Sequence, residues 1–264
     1  MQSNRSGSVR VRHEEGVAWV EFDRPEARNA MTWEMYAQLE EICADCGRNA
    51  AVEVVVLRGA GGAAFVAGTD IAQFEAFEDG AAGVAYERRI DAVVGAVERI
   101  EQPTIAMLEG FCVGGGAAIA LACDFRYADP ALKFGVPIAR TLGNCLSVTN
   151  VARLVEALGV ARSKEVLMMA RLLDVEEALA CGVINERFES DEIDAALAAR
   201  IERLRRHAPL TLRASKLAIQ RVLDARRPGH EAGDDLIEAC YGSEDFAAAV
   251  SAFVEKRPYQ WRGR

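Results

Sequence analysis

Gly110-Phe111-Cys112-Val113-Gly114-Gly115-Gly116 lies between an apolar run, Thr104–Leu108, and an Ala-rich apolar segment, residues 117–122. A β-branched strand signal before the glycines and a helix signal after them make this a tight strand-to-helix turn. Its N–H groups are exposed at a helix N-terminus. A second run of small residues stands upstream: Gly61-Gly62-Ala63-Ala64-Phe65-Val66-Ala67-Gly68-Thr69-Asp70-Ile71. Small side chains there let backbone approach a ligand closely, and the helix that follows offers free N–H groups. Together the two segments can point two N–H groups at one oxygen, the geometry of an oxyanion hole. The glycines fit the dinucleotide pattern poorly, because no acidic residue follows about 20 positions later at the end of a second strand.

Outward from these segments the N-terminal part reads as strand-strand-helix units. Residues 9–13 and 17–22 are strands about a turn, and 17–22 alternates apolar and polar before Arg24-Pro25 ends it. Thr32 is placed to cap a helix over 33–46. Residues 52–57 are a β-branched run, hence a buried strand, and 59–68 read as loop. A helix over 83–100, a strand at Thr104–Leu108, a buried helix over 117–122 and short strands at Phe125–Ala128 and 132–134 follow. Beyond residue 145 only helical periodicity remains: 148–158, 162–169, Val175–Ala180, 193–206, 210–226 and 244–256, the last capped by Ser243. This divides the chain into an α/β core over 1–195 and a helical region over 196–264. Late helices of this kind cover the face of the core or mediate assembly.

Composition excludes several classes of function. The formal net charge is −9, with no long run of either sign, so neither nucleic acid nor an anionic membrane is an expected partner. No run of about 18 apolar residues is present, and Met1 to His13 contain no apolar leader. The 7 cysteines have no framework spacing, which points to a reducing, cytoplasmic setting. Cys43 and Cys46 form a half-site on a helix with no second ligand pair, so no metal is expected.

The order of motifs resembles the crotonase, or enoyl-CoA hydratase/isomerase, superfamily. They are Arg24-Pro25-Glu26-Ala27-Arg28-Asn29-Ala30-Met31, Ala67 to Ile71, Gly114 to Gly116, Ala122-Cys123-Asp124, Phe134-Gly135-Val136-Pro137 and Ala252-Phe253-Val254-Glu255-Lys256-Arg257-Pro258. The resemblance spans almost the whole chain. It implies an α/β crotonase-type spiral of repeated β-β-α units, with C-terminal helices that assemble a homotrimer or a dimer of trimers. It implies that the backbone N–H groups of Thr69 and Gly115 form the oxyanion hole for a thioester carbonyl. Arg28, Ala67, Gly68, Asp70 and Ile71 would contact coenzyme A, which belongs to the substrate; no permanently bound cofactor is implied. The tail from Lys256 to Arg264 would reach a neighbouring subunit's site, or else be mobile. Asp70 is expected to cap the helix that follows it.

The family's two acid–base glutamates fall, by this resemblance, at Ala118 and Ile138, and no Asp or Glu occurs between Pro130 and Glu156. Positioned acids and bases are worth about 10²–10⁴-fold each, so efficient hydration of a straight-chain enoyl-CoA is not expected. Three readings stay open. Arg140 holds a substrate carboxylate for decarboxylation, or the scaffold hydrolyses a thioester, with Cys145 as a second group placed to take part. Alternatively an acid from another segment enters the site, from among Glu75, Glu78, Glu87 and Asp91. In the third reading the protein binds acyl-CoA without turning it over. A nucleophilic Cys145 would need a base, and His13, His207 and His230 are all distant in sequence. Phe74, Phe77, Arg140 and Cys145 are expected near the acyl pocket.

Overall fold

The computed structural model describes residues 7–264. Residues 1–6, the start of the stretch read as lacking an apolar leader, lie outside the described residues. The chain opens with β1 (Ser8–Glu14) and β2 (Val17–Asp23), an antiparallel hairpin, and then α1 (Trp33–Arg48), capped by Thr32. Three units follow in which one strand enters a large sheet and the next a small one. They are β3 (Val54–Gly59) and β4 (Ala64–Val66) before α2 (Gly80–Glu98), and β5 (Thr104–Leu108) and β6 (Phe111–Val113) before α3 (Gly115–Ala122). The third pair is β7 (Phe125–Ala128) and β8 (Lys133–Gly135), before α4 (Ile138–Thr141) and α5 (Val148–Met168). The rest comprises β9 (Leu172–Leu173), α6 (Val175–Ala180), β10 (Glu186–Arg187), α7 (Ile193–Arg205), α8 (Pro209–Asp224), α9 (Asp234–Tyr241) and α10 (Glu244–Val254). The large sheet has the order β1-β2-β3-β5-β7-β10 and the small one β4-β6-β8-β9.

The uninterrupted apolar run of β3 serves two cores, because successive side chains of a strand face opposite ways. Val55 and Leu57 face the main core with Phe22, Phe65, Leu108 and Phe134, whereas Val54 and Val56 pack with Ile105 and Met107 under Ile193, Leu197 and Ile201 of α7. A third cluster joins Phe74 to Leu142, Ile237, Tyr241, Phe246 and Val250, and so fastens α9 and α10 to the edge of the candidate site.

Four local differences from the sequence reading have physical causes. Segment 59–68, read as loop, contains β4, and the glycine-rich segment contains β6. Both strands are three residues long, too short to show a period. The short helix α4 and the helix α9 were not anticipated, because 4 and 8 residues carry little helical periodicity. The predicted break between helices 148–158 and 162–169 coincides with Gly159, whose φ of 70° and ψ of 165° interrupt α5. No helix among the described residues is long and apolar enough to cross a membrane.

Candidate active site

Segments 67–70 and 113–116 meet because glycine permits it. The first runs beside residues 28–31, where Ala67 N–H donates to Arg28 O, Met31 N–H to Gly68 O, and Asp70 N–H to Met31 O. Gly68, at φ 94°, and Gly114, at φ 57°, occupy backbone regions that side chains rarely adopt. They approach so closely that a Cβ on Gly114 would lie 3.4 Å from Gly68 Cα. A Cβ on Gly116 would lie 2.2 Å from Val66 O, so that position admits no side chain. The neighbouring amides of Asp70 and Gly114 are bonded within the chain. Those of Thr69 and Gly115 have no acceptor among the described residues. Gly115 is the first residue of α3, so its N–H also carries the positive end of that helix.

Both residues line a cavity of about 320 Å³, shared with Arg28, Ala67, Gly68, Ile71, Phe74, Tyr86 and Glu87. Ile138, Thr141, Leu142, Asn144 and Leu146 close one side, and Phe253 of α10 reaches its rim. The wall is mainly apolar, as a small-molecule site requires. Thr69 Oγ1 stands between two phenols, 2.7 Å from Tyr36 Oη and 2.8 Å from Tyr86 Oη. Burial pushes both tyrosines well above the usual phenol range, so they remain protonated donors at neutral pH.

Within the cavity wall, Glu87 is the sole carboxylate among the described residues. It is 2 % exposed. Its Oε1 accepts from Tyr241 O–H at 2.7 Å, and its Oε2 from Ser147 N–H at 2.9 Å. No arginine or lysine pairs with it among the described residues. Desolvation pushes its carboxyl up to about 7, opposed by the bonds from Tyr241 and Ser147 and reinforced by the Asp91 charge one turn along α2. Asp91 is better compensated: Ser147 Oγ and Asn150 Nδ2 donate to its Oδ1, and Arg153 lies 4.0 Å away. Asn144 Nδ2 donates to Tyr241 Oη at 2.9 Å, while its buried Oδ1 has no donor among the described residues.

The residues expected to hold coenzyme A divide. Arg28, Ala67, Gly68 and Ile71 line the cavity. Arg28 adopts a left-handed backbone at φ 53° and stacks its guanidinium 4.5 Å from the Phe111 ring. Asp70 does not line it: its side chain accepts from Ala72 N–H, capping the 3-10 turn Ile71–Ala76, and pairs with Arg24 at 2.7 Å. Arg140 and Cys145 are placed differently from the residues that line the cavity. Arg140 is exposed on α4 and lies outside the cavity wall. The Cys145 thiol packs against the Phe74 cluster beside Cys240, where desolvation raises it well above the usual thiol range; a thiol held neutral is a poor nucleophile. Of the side chains expected around an acyl group, only Phe74 lines the cavity; Phe77 faces a neighbouring pocket with Phe246. Ile138 lines the cavity, and Ala118 is buried in α3.

The tail folds back on its own chain. Tyr259 O–H and the N–H groups of Arg262 and Gly263 donate to Asp245 at the start of α10, and Trp261 rests against Gly143.

Sequence reasoning missed Tyr36, Tyr86, Asn144 and Tyr241. It named Glu87 only as one of four acids. A sharper signal was present: Gly83, Glu87, Ile90, Val94 and Val97 form one buried stripe at helical spacing, and a carboxylate in such a stripe demands a reason. Glu75 and Glu78 are exposed, beyond the cavity wall.

Residues 12–264 match the family model described as enoyl-CoA hydratase/isomerase. The short-chain-enoyl-CoA hydratase of Clostridium acetobutylicum is 30 % identical over 256 residues, 95 % of each chain. The crotonyl-CoA hydratase of Syntrophomonas wolfei is 30 % identical over 259 residues, covering 95 % of this chain and 96 % of its own. Among solved structures, an enoyl-CoA hydratase/carnithine racemase from Magnetospirillum magneticum superposes with a TM-score of 0.79 at 32 % identity, over 98 % of both chains. An enoyl-CoA hydratase/isomerase from Xanthobacter autotrophicus Py2 gives 0.85 at 26 % identity, over 94 % of this chain and 93 % of the other.

Proposed function

Since the chain belongs to the enoyl-CoA hydratase/isomerase family, we propose that it is an enzyme that activates an acyl-CoA thioester as its enolate. The thioester oxygen sits between the N–H groups of Thr69 and Gly115. One observation carries this reading: the Thr69 and Gly115 amides have no acceptor among the described residues, and both residues line one cavity. Donors fixed in advance act where charge develops, so they favour the enolate over the ground-state thioester. Losing one such donor in other enzymes costs about 3 kcal/mol.

Arg28, Ala67, Gly68 and Ile71 form the approach for the coenzyme A part, which arrives and leaves with the substrate. Asp70 acts there indirectly, by holding the turn that follows. Ala118 and Ile138 offer no proton, which argues against efficient hydration of straight-chain enoyl-CoA. The place of Arg140 outside the cavity wall weighs against its holding a substrate carboxylate for decarboxylation. The raised Cys145 thiol weighs against a nucleophilic cysteine. A pure acyl-CoA binder gives no reason for an ionisable group in the wall. We assign the working protein to the cytoplasm and to a homotrimer or dimer of trimers, in which the apolar face of α8 meets a second copy.

Incubation with butyryl-CoA in deuterium oxide tests the reading. Mass spectrometry is expected to show protein-dependent exchange of the hydrogens beside the thioester carbonyl. Binding without exchange contradicts it.

A further inference from the structure

We propose that Glu87 of α2 is the catalytic acid–base residue, shuttling a proton between the α- and γ-carbons of the acyl chain. The inference rests on the enolate reading above and deepens it, by naming the group that exchanges the proton.

Position comes first. Glu87 shares the cavity wall with Thr69 and Gly115, and no other carboxylate among the described residues does. Its placement is not loose. Tyr241 O–H holds one oxygen and Ser147 N–H the other, and each oxygen keeps a lone pair that these bonds do not use. A purely structural carboxylate buried this deeply is normally paired with a cation. Asp91 fits that description, with Arg153 and the Asn150 amide against it. Glu87 does not.

The groups facing it explain its readiness to change protonation. Tyr86 and Thr69 line the cavity, Tyr36 is buried against Thr69, and none is a cation. From α9 comes Tyr241, and from the segment before α5 come Asn144, Cys145 and Ser147. Along α2 is Asp91, itself faced by Arg153 of α5 and by His230 at 3.5 Å. Burial and Asp91 disfavour the charge, whereas two donors and the N-terminus of α5 favour it. The balance leaves the carboxyl near neutral pH, where a general acid–base group works best.

The step balances without a co-reactant. The carboxylate takes a proton from the α-carbon, the C–H pair becomes the enolate double bond, and the carbonyl π pair moves to the oxygen facing Thr69 and Gly115. With a β,γ-unsaturated acyl group the enolate extends to the γ-carbon. Glu87 returns the same proton there, and the double bond shifts into conjugation. One carboxyl suffices for this 1,3-shift, whereas hydration needs a water to be split as well.

The test compares wild type, Glu87→Gln, Tyr241→Phe and, as a control, Glu75→Gln. Each is incubated with 3-hexenoyl-CoA in deuterium oxide, and isomer formation and deuterium uptake are followed by NMR across pH 5–9. Calorimetry measures hexanoyl-CoA binding, and melting curves report folding. Glu87→Gln is expected to bind within about threefold of wild type and to lose about 10²–10⁴-fold in rate. Tyr241→Phe removes a donor to the ionised carboxylate, so the midpoint of its pH–rate profile is expected to rise. Glu75→Gln is expected to match wild type. A folded Glu87→Gln enzyme running at the wild-type rate overturns the proposal, as does an unmoved midpoint in Tyr241→Phe. If wild type binds the thioester and transfers no proton, the enolate reading itself fails, which is a distinguishable result.

Discussion

Glu87 of α2 and Tyr241 of α9 share a 2.7 Å hydrogen bond in which the phenol donates to a carboxylate that no cation among the described residues balances. The bond ties a helix of the α/β core to one of the late helices. Helices α9 and α10 therefore do more than cover the core: Tyr241 orients a group in the cavity wall, and Phe253 helps to close the rim.

The state of Glu87 should be visible in stability. Its carboxyl is raised from 4.5 to about 7 on folding. A raised folded value means that the stabilisation is fully present below about pH 4.5 and is lost as pH rises through 7. The displacement corresponds to about 3 kcal/mol. The melting temperature of Glu87→Gln minus that of wild type is expected to increase between pH 4.5 and 8. A difference independent of pH would show that the buried carboxyl does not titrate in this range.

Gly115 is held to glycine by Tyr36. A Cβ there would lie 2.5 Å from Tyr36 Oη and 3.7 Å from the ring carbon behind it. Gly115→Ala is expected to displace the phenol, to disturb Thr69 through their shared hydrogen bond, and to lower kcat/KM by on the order of 10². Adding Tyr36→Phe removes the clashing oxygen and is expected to restore about tenfold, a coupling typical of touching residues. Additive losses in the double variant would refute the steric account.

Arg140→Ala and Cys145→Ala are each expected to leave kcat/KM within about twofold of wild type, because neither side chain lines the cavity. Cys145 is also expected to resist iodoacetamide at pH 7.5, since burial keeps its thiol protonated.

Helix α8 has no buried residue, and Leu210, Leu217, Ile219 and Val222 are all exposed on it. Sedimentation is expected to show a trimer or larger for wild type, and dissociation for Leu217→Glu/Ile219→Glu. A monomeric wild type contradicts the proposed assembly.

Much of this fold was legible because its signals are local. The β-branched run at 54–57, the glycines at 114–116 and the cap at Thr32 each specify their element within a few residues. Strands β4 and β6 and the helix α9 were not, since they exist through pairing and packing with distant segments. The candidate site divided the same way. Thr69 and Gly115 announce themselves by small neighbours, whereas Glu87, Tyr241, Ser147 and Asn144 converge from three separate segments. Arg140 and Cys145 drew attention because they stand next to the position of a missing acid. In the fold, α4 carries the arginine outward, and the chain after it turns the thiol toward Cys240.

The most direct measurement is a crystal structure with a stable ketone analogue of 3-hexenoyl-CoA, in which a methylene replaces the thioester sulfur and the carbonyl is kept. The account predicts a carbonyl oxygen about 2.7–3.1 Å from both Thr69 N and Gly115 N, with a Glu87 carboxylate oxygen against the α-carbon. An acyl group seated elsewhere, or a carbonyl turned away from those two amides, would contradict it.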